Sequence, residues 1–258
     1  MNLNLENKNI LITGGSRGLG EKLAYAFAEE GCRVSIISRS KKDCLNVMKN
    51  IGGTNNGHFY SSSNLLNKKN INTSIKNILN YFKKIDIVVH NVGGALGYKD
   101  PLENLDNWMK VWMFNVGISI EINNILIPKM IIQGGGKIIN ISSSSSIDGL
   151  PAKKPFGGSI QYSCAKSYLN MYTKCMAREY ADKNISFSAV LPGPFLSPGK
   201  HWDKLKSKNK NLFNKFIKNN NPLKRFSKFE DIIPFVLLLA SEKSSFSNGS
   251  LIPINGGA

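Results

Sequence analysis

Tyr162 and Lys166 stand four residues apart in the run QYSCAKSYLNMYTK, 161–174, whose other positions carry a helical apolar pattern. Residues at this spacing share one face of a helix, so the phenol and the ammonium would enter the same space. Two uses fit that placement. One is a proton-transfer pair, in which a cation draws the phenol pKa down from about 10. The other is a core helix with two amphipathic side chains reaching for water.

A second stretch with chemical meaning is TGGSRGLG, 13–20, after the strand-like KNILIT and before the helix-like EKLAYAFAEEG. Glycines at a strand-to-helix turn let the backbone approach a diphosphate, and the helix N-terminus offers it free N–H groups. This context predicts a dinucleotide site. At the end of the second strand an acid would hold an adenosine ribose hydroxyl. The chain has Ser38 and Arg39 there instead, in IISRSKK. Arg39 and Arg17 together suit a 2′-phosphate, which predicts NADP(H) in preference to NAD(H).

These residues need a scaffold. Strand-like runs at 8–13, 33–38, 57–61, 85–90, 137–142, 185–191 and 250–254 alternate with helix-period runs near 18–30, 41–50, 68–82, 103–132, 160–182 and 229–241. Nearly continuous apolar strands between helices predict a parallel sheet covered on both faces. The fold class is therefore α/β, a doubly wound (Rossmann) sheet of about seven strands. Residues 1–258 are read as one domain. Three irregular segments follow strands at their carboxyl ends, where open α/β sheets bind ligands. They are the serine-rich 142–159, the cluster LPGPFLSPG at 191–199, and a basic lid segment within about 194–228. The lid has a weak helical stripe through Leu205, Leu212, Phe213, Phe216 and Ile217 and is expected to be a mobile flap over the cleft.

The formal net charge is +17, but lysine outnumbers arginine 29 to 5. Arginine is the residue suited to bidentate phosphate and base contacts, so nucleic acid is not expected as a partner. Residues 200–228 carry nine lysines and one arginine against one aspartate, which concentrates the charge on the lid. The four cysteines, Cys32, Cys44, Cys164 and Cys175, lack CxxC spacing and histidine partners. They are read as reduced, mostly buried thiols, with no metal site. The first strand-like run starts within ten residues of Met1, and no apolar run is judged long enough to span a bilayer. A soluble, cytoplasmic protein without a membrane partner is expected.

With the glycine loop and the Tyr162/Lys166 pair in view, the chain resembles the short-chain dehydrogenase/reductase family over essentially its whole length. The matching pieces are T-G-x-x-x-G-x-G at Thr13, Gly14, Gly18 and Gly20, HNVGG at 90–94, Asn115 in VWMFNVG, and IINISS at 138–143. Y-x-x-x-K at Tyr162 and Lys166, LPGP at 191–194, NPLKRF and a C-terminal INGG complete the order. The resemblance implies Tyr162 as general acid/base, Lys166 as its partner, Ser143 on the substrate oxygen and Asn115 behind the lysine. It implies cofactor contacts from Gly14, Ser16, Arg17, Gly18, Leu19, Gly20, Arg39, Asn64, Leu65, Asn91, Gly93, Tyr162, Lys166, Pro192, Gly193 and Ser197.

Some residues depart from the family pattern. LPAKKPFGGS lengthens the interval from Ser143 to Tyr162, and Ser142 or Ser144 could replace Ser143 in its role. Asn64 stands where the family commonly has an aspartate. His90 replaces an asparagine and is read as a packed strand-end residue. His201 and Trp202 open the lid, either facing substrate or packing.

The resemblance implies hydride transfer between NADP(H) and a small-molecule carbonyl or secondary alcohol, with reduction of a keto-sugar or a 3-oxoacyl ketone ranked level. The lid charge, with Lys153 and Lys154, favours an acidic substrate. An acyl-carrier-protein docking arginine is missing beside Gly134, with Lys183 a partial substitute. The alternatives are an NAD-dependent alcohol or sugar dehydrogenase and a non-catalytic NADP(H) sensor or scaffold. A homodimer or homotetramer is expected, with Trp108, Trp112 and Ile122 as candidate contact residues.

Overall fold

In the computed structural model, which describes residues 1–149, 158–197 and 201–257, the apolar strand runs pair side by side in one sheet. The strands are β1 (Asn9–Thr13), β2 (Arg33–Ser38), β3 (Phe59–Ser62), β4 (Ile87–His90), β5 (Gly136–Ile141), β6 (Ile185–Pro192) and β7 (Leu251–Ile254). Their order is 3-2-1-4-5-6-7, and all pairings are parallel. The α-helices are α1 (Gly18–Glu29), α2 (Lys41–Asn50), α3 (Lys68–Phe82), α4 (Leu105–Trp112), α5 (Ile118–Ile132), α6 (Ser145–Asp148) and α7 (Ile160–Glu179). After them come α8 (His201–Lys208), α9 (Lys210–Asn220) and α10 (Phe229–Ala240). This is the doubly wound α/β fold expected.

Alternation along each strand feeds two cores. Ile10, Ile12, Val34, Ile36 and Val89 pack with α1, α2 and α10, whereas Leu11, Ile37, Val88 and Ile138 pack with α3, α5 and α7. Both sets are apolar because both faces are covered. Helix starts are fixed by side-chain caps: Ser40, Asn67, Asn104 and Ser159 each accept the backbone N–H three residues on. The order reverses between β1 and β4, whose last residues Thr13 and His90 are register partners. Crossovers leave that point in opposite directions, opening a crevice at the carboxyl ends.

Several expectations need correcting. The single helix expected over 103–132 is interrupted by a π-helical turn, Met113–Gly117. The stretch Leu105–Ile132 is long and apolar enough to cross a membrane by length and composition, contrary to the reading that no such run exists. More than half of its apolar 18-residue window is buried within the fold, as in the core helix of a globular protein. Ile122 is fully buried against α3 and the sheet, so it belongs to the core and not to a contact surface. Only Cys32 and Cys44 of the four thiols are buried, and Cys164 and Cys175 are exposed on α7. Burial pushes Cys32 up to about 12 and Cys44 up to about 11, which keeps both protonated.

The lid forms two helices with a small core of its own. Phe213, Ile217 and Phe226 are buried together, Phe213 stacking on Phe226 with centroids 4.6 Å apart. Trp202 stacks on Phe216 at 5.1 Å, which gives it a packing role. Leu212 from the expected stripe points outward. Lys153, Lys154 and most of the inserted LPAKKPFGGS lie outside the described residues, as does the side chain of His201.

Candidate active site

The site forms where β1, β4, β5 and β6 end. Gly18 opens α1 with φ +59°, a left-handed conformation that glycine adopts without penalty, and a Cβ there would lie 2.6 Å from Ser197 Oγ. The glycine loop and the segment after β6 thus face one another. Ser16, buried, donates to Ser38 Oγ at 2.7 Å and ties the loop to the end of β2. Asn91 donates from Nδ2 to the carbonyls of Thr13 and Gly14 at 3.1 and 3.2 Å, bracing the loop from β4. Leu19 and Leu65 are buried nearby parts of the core, and Asn64 is exposed, its Oδ1 accepting from Leu66 N. Arg17, at the N-cap of α1, and Arg39, just past β2, are both exposed. Pro192 and Gly193 are buried, with Gly193 N donating to Ile254 O of β7 at 2.8 Å.

The helical pair lies at the centre. Tyr162 and Lys166 occupy the first turns of α7, with Lys166 Nζ 5.8 Å from the centre of the Tyr162 ring. Lys166 is 2% exposed and donates from Nζ to Ile141 O at 2.7 Å. Burial lowers its pKa to about 7. The Tyr162 phenol is pushed up by burial, with the Ser143 hydroxyl pulling the other way. Burial is the largest influence on the phenol in these surroundings, and its direction is opposite to the lowering expected from a neighbouring cation. Of the neighbouring serines, Ser142 spends its hydroxyl on Lys166 O at 3.3 Å, while Ser143 Oγ lies 3.0 Å from Ser145 Oγ and faces the phenol.

Asn115 sits in the π-helical turn, a local widening often found at functional sites. Its amide accepts from Gly94 N at 2.9 Å and donates to Gly94 O at 2.9 Å and Val111 O at 2.8 Å. A Cβ at Gly93 would lie 2.7 Å from Asn115 Oδ1 and 2.9 Å from Lys166 Nζ. Three elements, the β4 end, the π turn and α7, therefore converge on a position where only glycine fits.

The model of the short chain dehydrogenase family matches residues 8–207. The chain belongs to that family. FabG of Aquifex aeolicus, a 3-oxoacyl-acyl-carrier-protein reductase, is 31% identical over 258 residues, covering 100% of this chain and 99% of that protein. An uncharacterized oxidoreductase of Thermotoga maritima is 31% identical over 260 residues, covering 99% of each. The L-sorbose reductase of Gluconobacter frateurii, solved with NADPH and L-sorbose, has a TM-score of 0.90 at 24% identity, covering 100% of this chain and 98% of that one. Likeness at that identity speaks for the fold.

As a short chain dehydrogenase the chain is an oxidoreductase acting on CH–OH or C=O groups and takes a nicotinamide cofactor. Its residues fit that group: Gly14 and Gly18, both at positive φ, turn the chain from β1 into the N-terminus of α1 beside the reversal of strand order, the combination that suits a diphosphate. Sequence reasoning missed the π turn at Asn115, the Ser159 cap that starts α7 at Tyr162, and the Ser142 bond to Lys166 O. Ser159 is the one of these with a sequence signal, a serine three residues before Tyr162 at a helix start.

Proposed function

We propose that the protein reduces a ketone with NADPH, with Tyr162 supplying the proton. The observation that carries this is the convergence at Gly93 of Lys166 Nζ and the Asn115 amide, with Tyr162 on the same helix and Ser143 facing its phenol. Gly14, Ser16, Arg17, Gly18, Leu19, Gly20, Arg39, Asn64, Leu65, Asn91, Gly93, Pro192, Gly193 and Ser197 hold the cofactor, together with Tyr162 and Lys166. The bound cofactor supplies the hydride. Ser143 orients the carbonyl oxygen and Tyr162 protonates it. Lys166 steadies the phenol, and Asn115 holds the backbone at Gly94 behind the lysine. Burial pushes the phenol up, which favours its protonated, proton-donating form.

NADP(H) over NAD(H) is supported by exposed Arg17 at the N-cap of α1 and exposed Arg39 just past β2, with serine in place of an acid at the end of β2. The Michaelis constant for NADPH is expected to be well below that for NADH. Arg39→Asp should raise it about tenfold to a hundredfold, the loss of a charge-assisted bond to phosphate, while sparing NADH. A wild-type preference for NADH would overturn the assignment.

Keto-sugars and 3-oxoacyl thioesters remain the two substrate classes, with an acidic substrate drawn to the lysine-rich lid. Kinship with the reductase FabG supports the second class. Against a carrier-protein partner, Lys183 is paired with Asp182 at 2.8 Å. Consumption of NADPH against a panel of acyl thioesters, simple ketones and keto-sugars separates these classes. Tight NADPH binding with silence across the panel would favour the non-catalytic sensor instead.

A homodimer or homotetramer in the cytoplasm completes the proposal. Leu105, Met109 and Met113 on one side and Tyr168 and Met171 of α7 on the other are exposed, and Trp112 bridges them by an edge contact with Tyr168 at 5.6 Å. An apolar face of this kind is costly to leave in water. Sedimentation at micromolar concentration should give a dimer or larger, and a monomer would refute it.

A further inference from the structure

Buried polar groups that the proposed chemistry leaves unused gather beneath the ends of β4 and β5. His90 and Asn140 are register partners on these strands, so they project from one face of the sheet, and they are 2% and 0% exposed. His90 Nε2 lies 2.8 Å from Asn123 Oδ1 on α5, and Asn123 Nδ2 donates to the Tyr172 hydroxyl of α7 at 3.1 Å. Asn140 Nδ2 donates to Thr173 Oγ1 at 2.9 Å, and Thr173 gives its own proton to Leu169 O at 2.8 Å. With that proton spent, Thr173 can only accept from Asn140. The Asn140 amide is thereby fixed with Oδ1 turned away from Thr173. His90 Nδ1 and Asn140 Oδ1 are left, both buried, without a hydrogen-bond partner among the described residues.

Buried polar atoms almost always have a partner, in the protein or as ordered water. With Nε2–H donating to Asn123, His90 Nδ1 is a bare acceptor, and two acceptors cannot bond each other. Should the Asn123 amide and the His90 tautomer both reverse, Nδ1 becomes a donor complementary to Asn140 Oδ1, but the two atoms make no direct hydrogen bond. A water satisfies either arrangement, donating twice in the first, and accepting once and donating once in the second. A cation is disfavoured: the cluster has no carboxylate, and burial, with the Lys166 charge adding to it, lowers His90 to about 4.

We propose that His90 Nδ1 and Asn140 Oδ1 bind one buried water, and that through it His90 is a positioning residue for Lys166. The bridged chain runs from Tyr172 through Asn123, His90, the water and Asn140 to Thr173. Both ends sit on α7, six and seven residues after Lys166, and Asn140 directly precedes Ile141, whose carbonyl takes Lys166 Nζ. The chain thus fastens together the helix that carries the lysine and the strand that supplies its acceptor. The kinetic part rests on the role proposed above for Lys166; the water site does not.

Two variants separate the ring nitrogens, because an asparagine amide reaches the place of Nδ1 and a glutamine amide that of Nε2. His90→Gln is expected to lower kcat about tenfold, with KM for NADPH within about twofold, because a small displacement of a reacting group is expensive. His90→Asn should restore kcat to within about twofold of wild type. A high-resolution crystal structure of the wild-type protein should show a water within hydrogen-bond reach of both atoms. A glutamine variant as active as wild type, or both variants equally impaired, would overturn the positioning role. Direct contact between His90 and Asn140, or no density between them, would overturn the water site. Should the carbonyl panel give no turnover, or Tyr162→Phe prove fully active, the functional proposal fails and the crystal structure still decides the water.

Discussion

Tyr162→Phe is expected to lower kcat by about three orders of magnitude, the scale of a lost general acid, while NADPH binds as before. The change removes one oxygen from a side chain whose ring already packs with Val111, Val116 and Leu169, so the fold should be indifferent to it. On the proposed role, what is lost is the proton that the substrate oxygen receives. Burial holds that proton on the phenol, and the Ser143 hydroxyl beside it is the chain's own counterweight. Single-turnover kinetics together with a cofactor-binding titration would measure both quantities. Retained turnover would remove Tyr162 from the chemistry and leave Ser143 and Lys166 without a proton donor to serve.

Lys166→Met should act on activity and stability in opposite directions. Turnover should fall at least about a hundredfold, while the melting temperature at neutral pH should rise. Lys166 is held at about 7 in the folded protein against 10.5 when exposed, because burial penalises its charge. Between those values the unfolded chain binds a proton that the folded chain does not, so this group's contribution to stability increases with pH across the window. Below about 7 both states carry the proton, and the folded state bears the full penalty. Methionine fills similar volume without the charge. The gain of the variant over wild type should therefore be largest at or below neutral pH and shrink toward pH 10. Thermal melts of both proteins over that range give the difference directly, cancelling what Cys32, Cys44 and other shared groups contribute. A variant less stable than wild type at every pH would mean that the bond from Nζ to Ile141 O outweighs the desolvation penalty.

Most of the scaffold was legible because its signals are local. Each strand run differs from its observed limits by two residues or fewer, since an apolar stretch bounded by glycine, asparagine and helix caps leaves little freedom. The glycine loop was legible for the same reason: only a strand before it and a helix after it make its glycines meaningful. Tyr162 and Lys166 were legible from helical spacing alone. The resemblance to a known family then attached Asn115, Ser143 and Gly93 to them, residues that no local pattern would have singled out.

Sequence by itself determined the order of elements, the two covered faces of the sheet and the identity of a polar pair on one helix. Those follow from periodicity and from caps, which act within a few residues. Tertiary structure alone decided that Asn115 lies in a π turn where it grips Gly94, that Ile122 is core and not surface, and that Ser142 is spent on a backbone carbonyl while Ser143 faces Tyr162. It also decided that burial raises the phenol and lowers the lysine, and that His90 and Asn140 share a face. Each of these depends on residues far apart in the chain excluding water from one another. Desolvation and hydrogen-bond partnership are properties of such gatherings and have no local signature.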